Sequence, residues 1–444
     1  MSYLVAIIGR PNVGKSTLFN RLVGEKRAIL AEEPGTTRDV LFDQIIWNKF
    51  TFTLADTAGI ELNNQSELAK NVMLQTQVAL DSADLVLFLV NAKEGIQPDD
   101  KEVARLIRKR NKPILLLINK TDKKISPDVI AEFYQLGFKA TFETAGTTGK
   151  GIGEVLDEVV FQLNKIKKPI SPPTIDKREL VRVAVLGRPN VGKSTLFNKL
   201  IGKTRSVVSR LAGTTRDTIN ERILFSDFWI EFIDTAGLRR RGKVEVGIEK
   251  FSALRMLRAV QSADICLLVM EADEGVIAQD MHIMEMALEL NKSPILVVNK
   301  WDLIEKTGKI TANYDKYLDQ KYRFVSWVPR VYISALTGQR VDRLKQLIVD
   351  TAVLRNLRLS DRELNSLILQ AVSNRPPRGR RVAPKIYSAR QSAVNPPVIE
   401  LLTDHPEDIH RTYLKYLENR LREVWPLPGV PITFTLKIKA RGRR

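Results

Sequence analysis

Apolar runs of strand length alternate along this chain with polar stretches long enough to hold a helix. Leu4 to Ile8, Ala83 to Val90 and Pro113 to Ile118 are nearly continuous apolar runs, the pattern of strands covered on both faces. Two extended runs, Val40 to Ile46 and Phe50 to Leu54, fall between the first and the second, and Asp99 to Arg110 fits a helix of the outer layer. The order then begins again with Val183 to Leu186, Ile265 to Met270 and a second outer helix over Asp280 to Asn291. Strands alternating with helices predict an α/β fold, a doubly wound sheet in each half, with functional loops at the carboxyl ends of the strands.

Beyond about Leu354 the pattern changes. Ser360-Asp361-Arg362-Glu363 reads as a capping box, and Leu364, Leu367, Ile368, Ala371 and Val372 keep helical spacing after it. Strand-like runs follow at Pro384 to Arg390 and Pro397 to Leu402. A helix over about Pro406 to Val424 carries Ile409, Tyr413, Leu417, Leu421 and Val424 on one face, and a last strand spans Ile432 to Ile438. Helix, two strands, helix, strand makes a small α+β domain.

The restart is a true repeat. GRPNVGKSTLFN occurs from Gly9 to Asn20 and again from Gly187 to Asn198. The motifs at Gly35 and Asp56 also return 178 residues later, and the one at Asn119 returns after 180. A near-constant offset over this much chain is the mark of a duplicated domain. The expected boundaries are 1–165 for the first copy, 166–179 for a linker, 180–353 for the second copy and 354–444 for the α+β domain. Three prolines and three lysines between Lys165 and Thr174 give the linker a semi-stiff, exposed character.

Composition narrows the class. In 444 residues, 44% apolar and 27% charged side chains provide for buried cores, and no run approaches the roughly 18–20 apolar residues of a membrane span. The start, MSYLVAIIGRPN, has no basic segment before its apolar run, so a cytoplasmic protein is expected. Cys266, the single cysteine, lies in an apolar run and reads as a packing residue. The net charge of +19 points to a polyanionic partner, nucleic acid or an acidic surface. Residues 355–444 hold 18 Lys/Arg against 8 Asp/Glu, so over half of that excess sits in this last fifth of the chain, where nucleic-acid contact is the natural reading beside that of a solvated basic face.

The repeated motifs carry chemistry. Gly9, Arg10, Pro11, Asn12, Val13, Gly14, Lys15, Ser16 and Thr17, with their counterparts Gly187, Arg188, Pro189, Asn190, Val191, Gly192, Lys193, Ser194 and Thr195, form a phosphate-binding loop between strand and helix. Its glycines let backbone N–H groups curl toward phosphate oxygens, the helix N-terminus adds positive dipole, and the lysine adds charge. Asp56-Thr57-Ala58-Gly59 and Asp234-Thr235-Ala236-Gly237 place an acid at a strand end, facing a magnesium ion, or else capping the strand, before a glycine able to turn toward the terminal phosphate. Asn119-Lys120-Thr121-Asp122 and Asn299-Lys300-Trp301-Asp302 are the base readers. An aspartate accepts from both N1–H and the exocyclic amine of guanine, and adenine offers no such paired donor edge, so GTP is expected rather than ATP. Ser334-Ala335 fits a final backbone contact to the base, and Thr144-Ala145 is placed there in the first copy.

Two copies reading GRPNVGKST, GTTRD, DTAG and NKxD, followed by a small basic α+β domain, resemble the double-GTPase EngA (Der) family of bacterial ribosome assembly factors over essentially the whole chain. The resemblance implies a Mg-dependent GTPase and GTP-dependent work in maturing the large ribosomal subunit, with rRNA as partner, no membrane, and a monomer in solution. It implies a KH-like third domain packed among the G domains. No Gly-x-x-Gly occurs after Leu354, only the loop Pro376-Pro377-Arg378-Gly379-Arg380-Arg381, so the usual KH grip on single-stranded backbone is not expected here, and the domain reads as an RNA-facing or interdomain wedge.

For the chemistry, Lys15 and Lys193 neutralise the β- and γ-phosphates, and Ser16 and Ser194 ligate magnesium. Thr37 and Thr215 are candidates for the second ligand, with Thr36 and Thr214 as adjacent alternatives, and Asp56 and Asp234 hold the ion through water. Ile60 and Leu238, which follow DTAG, cannot orient a water as a glutamine there would. Asn12 and Asn190 are similar to the loop asparagines of potassium-stimulated GTPases; the alternative is that each only caps its loop. A basic stretch, Leu238 to Lys243, distinguishes the second copy and is read as docking on RNA or the third domain, or as solvated charge. Three rival readings are weaker: a tRNA-modifying GTPase lacks room for its substrate domain, a pure binding protein would not need intact catalytic residues twice, and a membrane-remodelling GTPase would need a stalk or an amphipathic anchor.

Overall fold

The computed structural model describes residues 3–24, 41–48, 50–56, 76–109, 112–123, 125–166, 179–202, 221–235, 252–305, 310–379 and 383–439. By contact density the chain divides into two units, Met1–Ile175 with Gly242–Gln261, and Asp176–Arg241 with Ser262–Arg444. Much of the expected linker, and the segments holding Thr36, Thr37, Thr57 to Ile60, Thr214, Thr215 and Ala236 to Lys243, lie outside the described residues.

In the first unit six strands form one sheet: β1 (Tyr3–Ile8), β2 (Leu41–Trp47), β3 (Phe50–Asp56), β4 (Leu85–Asn91), β5 (Ile114–Asn119) and β6 (Thr141–Glu143), in the order β2-β3-β1-β4-β5-β6. Only β2 and β3 pair antiparallel, and the remaining pairs are parallel. β4 is buried at every position, as its unbroken LVLFLVN predicts for a strand with helices on both faces. Val5, Ile7, Phe52, Leu54, Leu87 and Leu117 pack with Leu18 and Phe19 of the helix Lys15–Val23 and Val155 and Val159 of the helix Ile152–Lys165. The helix Pro98–Arg108 starts and ends within two residues of its expected limits. Arg258, on the helix Ser252–Ser262, makes a bidentate ion pair with Asp84 at 2.8 and 2.9 Å inside the same unit.

The second unit repeats the design with β7 (Glu179–Leu186), β8 (Glu221–Phe225), β9 (Phe228–Ile233), β10 (Ile265–Glu271), β11 (Ser293–Asn299) and β12 (Arg330–Tyr332), in the order β12-β11-β10-β7-β9-β8. Read from its other edge this is the order of the first sheet. Cys266 is fully buried in β10, where desolvation pushes its thiol up to about 12, in keeping with a packing role.

The third sheet comprises β13 (Ile386–Ala393), β14 (Val398–Thr403) and β15 (Thr433–Ile438), with β13 antiparallel and β15 parallel to β14. It is backed by the helices Asp361–Asn374 and Arg411–Val424 through Leu364, Ile368, Leu417 and Leu421, all fully buried. This is the α+β order expected from the sequence. Ser360 caps its helix by accepting from the Glu363 N–H, and the second helix begins only at Arg411, because a 3-10 turn takes Pro406–Asp408.

The third sheet attaches to the second G sheet near the starts of its strands, the end opposite the functional loops. Thr433 Oγ1 lies 3.0 Å from Asn291 Oδ1, Gly429 N–H donates to Trp327 O at 2.9 Å, and the Arg422 guanidinium sits 4.2 Å over the Trp327 ring. Arg355, 3% exposed, donates to Ser293 Oγ at 2.8 Å and Asn395 Oδ1 at 2.7 Å, and its carbonyl accepts from Asn395 N–H at 2.8 Å. Among the described residues no helix is long and apolar enough to cross a membrane.

Arg355→Met keeps the stem of that side chain and leaves the buried Ser293 hydroxyl without its donor. It should lower the stability of the second unit by on the order of 2–3 kcal/mol, read as an earlier unfolding transition in calorimetry, with a surface change such as Arg358→Met as the neutral control.

Candidate nucleotide sites

Each phosphate loop is shaped by positions that only certain residues tolerate. Gly14 and Gly192 have φ of 98° and 94°, and a Cβ on Gly14 would stand 2.5 Å from Asn119 Nδ2. Asn12 and Asn190 have φ of 65° and 64°, the left-handed region where Asn is the best tolerated non-glycine residue, and both side chains are exposed. The loop backbone therefore accounts for an Asn here whatever its side chain does.

The lysines lie inside their loops. Lys15 Nζ donates to the carbonyls of Gly9 and Arg10 at 2.9 and 2.8 Å, and Lys193 Nζ to those of Gly187, at 2.8 Å, and Arg188. Burial pushes the Lys193 ammonium down to about 8. Ser16 Oγ donates to Asp56 Oδ2 at 2.9 Å, so two residues expected to hold magnesium from motifs 40 positions apart stand together at the mouth of the loop. In the second copy Asp234 directly follows β9 with φ 54°, and Thr235 after it is 1% exposed. Pro11 is half-buried and Pro189 exposed, while Val13 and Val191 point into the core and fix the loop from beneath. Thr17 is exposed and Thr195 half-buried at the helix starts.

Asn119 and Asn299 do more than precede the base reader. Asn119 Nδ2 donates to Val13 O at 2.9 Å while its Oδ1 accepts from Gly146 N–H at 3.2 Å. Asn299 repeats both bonds, to Val191 O at 2.8 Å and from Ala335 N–H at 2.9 Å. One buried amide thus ties the phosphate loop to both loops that would surround the base. The bonds also align the copies: Thr121 N–H reaches Thr144 O, and Trp301 N–H reaches Ile333 O. Thr144 therefore matches Ile333, and the structural counterpart of Ser334-Ala335 is Ala145-Gly146, one residue later than the Thr144-Ala145 read from the sequence. The similarity of Thr-Ala to Ser-Ala misdirected that placement; which N–H reaches Asn119 decides it.

Lys120 and Lys300 have φ of 67° and 60°, and this turn leaves Asp122 and Asp302 exposed at the mouth. Asp122 is paired with Lys93 at 3.1 Å, and that hydrogen bond holds its carboxyl below the usual range. The residue matching Lys93 in the second copy is Asp273.

Arg10 and Arg188 direct their guanidinium groups to the side of the loop. Arg10 pairs with Asp100 at 2.8 Å and Glu94 at 3.2 Å, and Arg188 with Asp280 at 3.1 Å and with Glu274. The same carboxylates cap the next helix, since Gln97 and Ile277 N–H donate to Asp100 and Asp280 at 3.1 Å. Burial pushes both carboxyls up despite the arginines, as expected for an ion pair taken out of water. Sequence reading passed over these acids. Their signal was available in the repeat of Glu-Gly at 94–95 and 274–275, each with an Asp five residues after the Gly.

Comparison with known proteins adds the family. The model for "50S ribosome-binding GTPase" matches residues 4–120 and again 182–300, and the model for the "KH-domain-like of EngA bacterial GTPase enzymes, C-terminal" matches 358–437. The chain is 40% identical to GTPase Der of Herpetosiphon aurantiacus over 442 residues, covering 98% of this chain and 96% of the relative. It is 41% identical to GTPase Der of Chloroflexus aggregans, covering 99% and 98% of the two chains. Among solved structures, Aquifex aeolicus Era bound to GDP.AlF4- matches 59% of this chain and 93% of its own at 26% identity, with a TM-score of 0.31.

A polyphosphate bound in the second loop should restore the depressed Lys193 to full charge. Binding near pH 8.5 should then take up a proton, and affinity should decline as pH rises above about 8. Calorimetric titration with GDP in two buffers of different ionisation heat checks this; identical heats would remove the linkage.

Proposed function

The chain belongs to the EngA (Der) family of GTPases, and on that premise we propose that it is an assembly factor for the large ribosomal subunit, using nucleotide-dependent domain rearrangement to control its association with rRNA. The observation that carries this reading is the joining of two nucleotide sites in one chain to a strongly basic third domain. A nucleotide switch joined to a polyanion-binding surface is what a nucleotide-timed RNA-binding step requires, and this chain carries two such sites. The family model's description as ribosome-binding and the +10 excess over residues 355–444 support the same partner. Cytoplasmic location and a monomeric state in solution belong to the proposal.

Within each site the proposed roles follow from the loops. Gly9 to Thr17 and Gly187 to Thr195 cradle the phosphates, Asp122 and Asp302 read guanine, and the backbone around Ala145-Gly146 and Ser334-Ala335 closes on the base. The adjoining oxygens of Ser16 and Asp56 suit a hard cation such as magnesium. Ser16, Thr37 and Asp56 would hold it in the first copy, and Ser194, Thr215 and Asp234 in the second. When bound, the ion neutralises charge developing on the phosphate oxygens. Thr57 to Ile60 and Ala236 to Leu238 are proposed to meet the terminal phosphate. Potassium is the proposed activator, held by the exposed Asn12 and Asn190 amides, because Ile60 and Leu238 have no group to order water.

Two measurements test this. Turnover of GTP should be several-fold faster in potassium than in sodium at equal ionic strength, and equal rates would remove the potassium role. Co-sedimentation with large subunits should depend on nucleotide (GTP analogue, GDP or none) and fall steeply with salt. Indifference to nucleotide would refute the switch, and indifference to salt the backbone-dominated RNA interface.

A further inference from the structure

Among the described residues the two copies differ where the base would lie. In the second, Trp301 stands between Lys300 and the base-reading Asp302, and its ring is 3% exposed. It packs on Tyr332 with centroids 4.4 Å apart, and meets Tyr314 edge-on at 5.5 Å and 89°. Tyr314 in turn lies 5.9 Å from Tyr332.

This cluster is tied to the base-reading loop, to the loop at Ser334-Ala335 and, through the 272–276 turn, to the phosphate loop. Tyr332 immediately precedes Ile333, whose carbonyl accepts from Trp301 N–H at 3.0 Å. The Tyr314 hydroxyl donates to Ala272 O at 3.0 Å, and Tyr317 Oη accepts from Val276 N–H at 2.8 Å. Between those two residues Gly275 O accepts from Arg188 of the phosphate loop at 3.3 Å, and a Cβ on Gly275 would come within 2.7 Å of Tyr317 Oη.

Among the described residues the first copy keeps the backbone bond, Thr121 N–H to Thr144 O at 3.1 Å, but not the rings. Thr121 replaces Trp301 and offers a single hydroxyl bond to Thr144 O at 3.0 Å, and Glu143 replaces Tyr332 in a half-exposed pair with Lys150. Its reader Asp122 is shared with Lys93, whereas among the described residues Asp302 has no ion pair.

We propose that Trp301, Tyr314 and Tyr332 are positioning residues that brace Asp302 for the guanine edge, making the second copy the more guanine-selective and slower-releasing site. Aromatic rings suit this role because they fill space rigidly with two torsions each and prefer the offset and edge-on contacts seen here. A fixed carboxylate meets N1–H and the exocyclic amine together, and a mobile one exchanges either for water. The proposal rests on the guanine-nucleotide reading above.

The test uses the full chain carrying Asp122→Asn, which takes guanine recognition away from the first copy, so that fluorescent GDP reports on the second. Release of GDP is measured beside competition by IDP, which lacks the exocyclic amine. Trp301→Thr, the first copy's residue, should speed GDP release about tenfold and lower the preference for GDP over IDP about fivefold, since a site built around a donor loses discrimination when its acceptor loosens. Trp301→Phe should restore both to within about twofold. Tyr314 is only half-buried, so Tyr314→Leu carries the same expectation if the Thr variant fails to fold. GDP and IDP weakening by one common factor, or neither changing, would overturn the brace and leave the rings as core packing. Failure of the Asp122→Asn protein to hold GDP at all would overturn the guanine reading itself, and the brace with it.

Discussion

Two buried asparagine side chains set the geometry on which both nucleotide sites depend. Asn119 and Asn299 sit at the ends of β5 and β11, and each spends its amide on one loop and its carbonyl oxygen on another. An amide is suited to this because it offers donor and acceptor a fixed distance apart in one rigid plane. With both ends satisfied away from water, moving either loop would leave a buried polar group unpaired. The glycines at 14 and 192 follow from it, since any side chain there would occupy the place of the amide.

The sheet makes that bridge possible. Parallel order brings the ends of β1, β4, β5 and β6 into one row, and the second sheet does the same with β7, β10, β11 and β12. Loops far apart in sequence then share one rim, and the Arg10 to Asp100 pair closes it from the side across 90 residues. The third sheet is held at the far end of the second G sheet, through Asn291, Trp327 and Arg355, clear of those loops.

Duplication preserved the rim and let its lining diverge. The amide bridge, the lysine bonds and the arginine pair recur almost bond for bond, while Lys93 faces Asp273 and Thr121 faces Trp301 across the alignment. A shared frame whose lining differs would let the two sites of one chain load and empty separately, as the bracing proposed for Asp302 implies.

What the sequence determined by itself is whatever local pattern encodes. Strand-length apolar runs, two phosphate loops in identical words, and the helix, two strands, helix, strand order of the third domain were all legible, because side-chain periodicity and turn chemistry act over a few residues. Motif types also placed the lysines, Ser16 and Asp56. The tertiary structure alone decided which groups meet: that Asn119 pins the phosphate loop, that Arg10 turns to Asp100, that Ala145-Gly146 and not Thr144-Ala145 matches Ser334-Ala335, and that Trp301, Tyr314 and Tyr332 pack as one cluster. Each is a choice of partner among distant residues, and such a choice is fixed by strand order and register, which no short stretch of sequence contains.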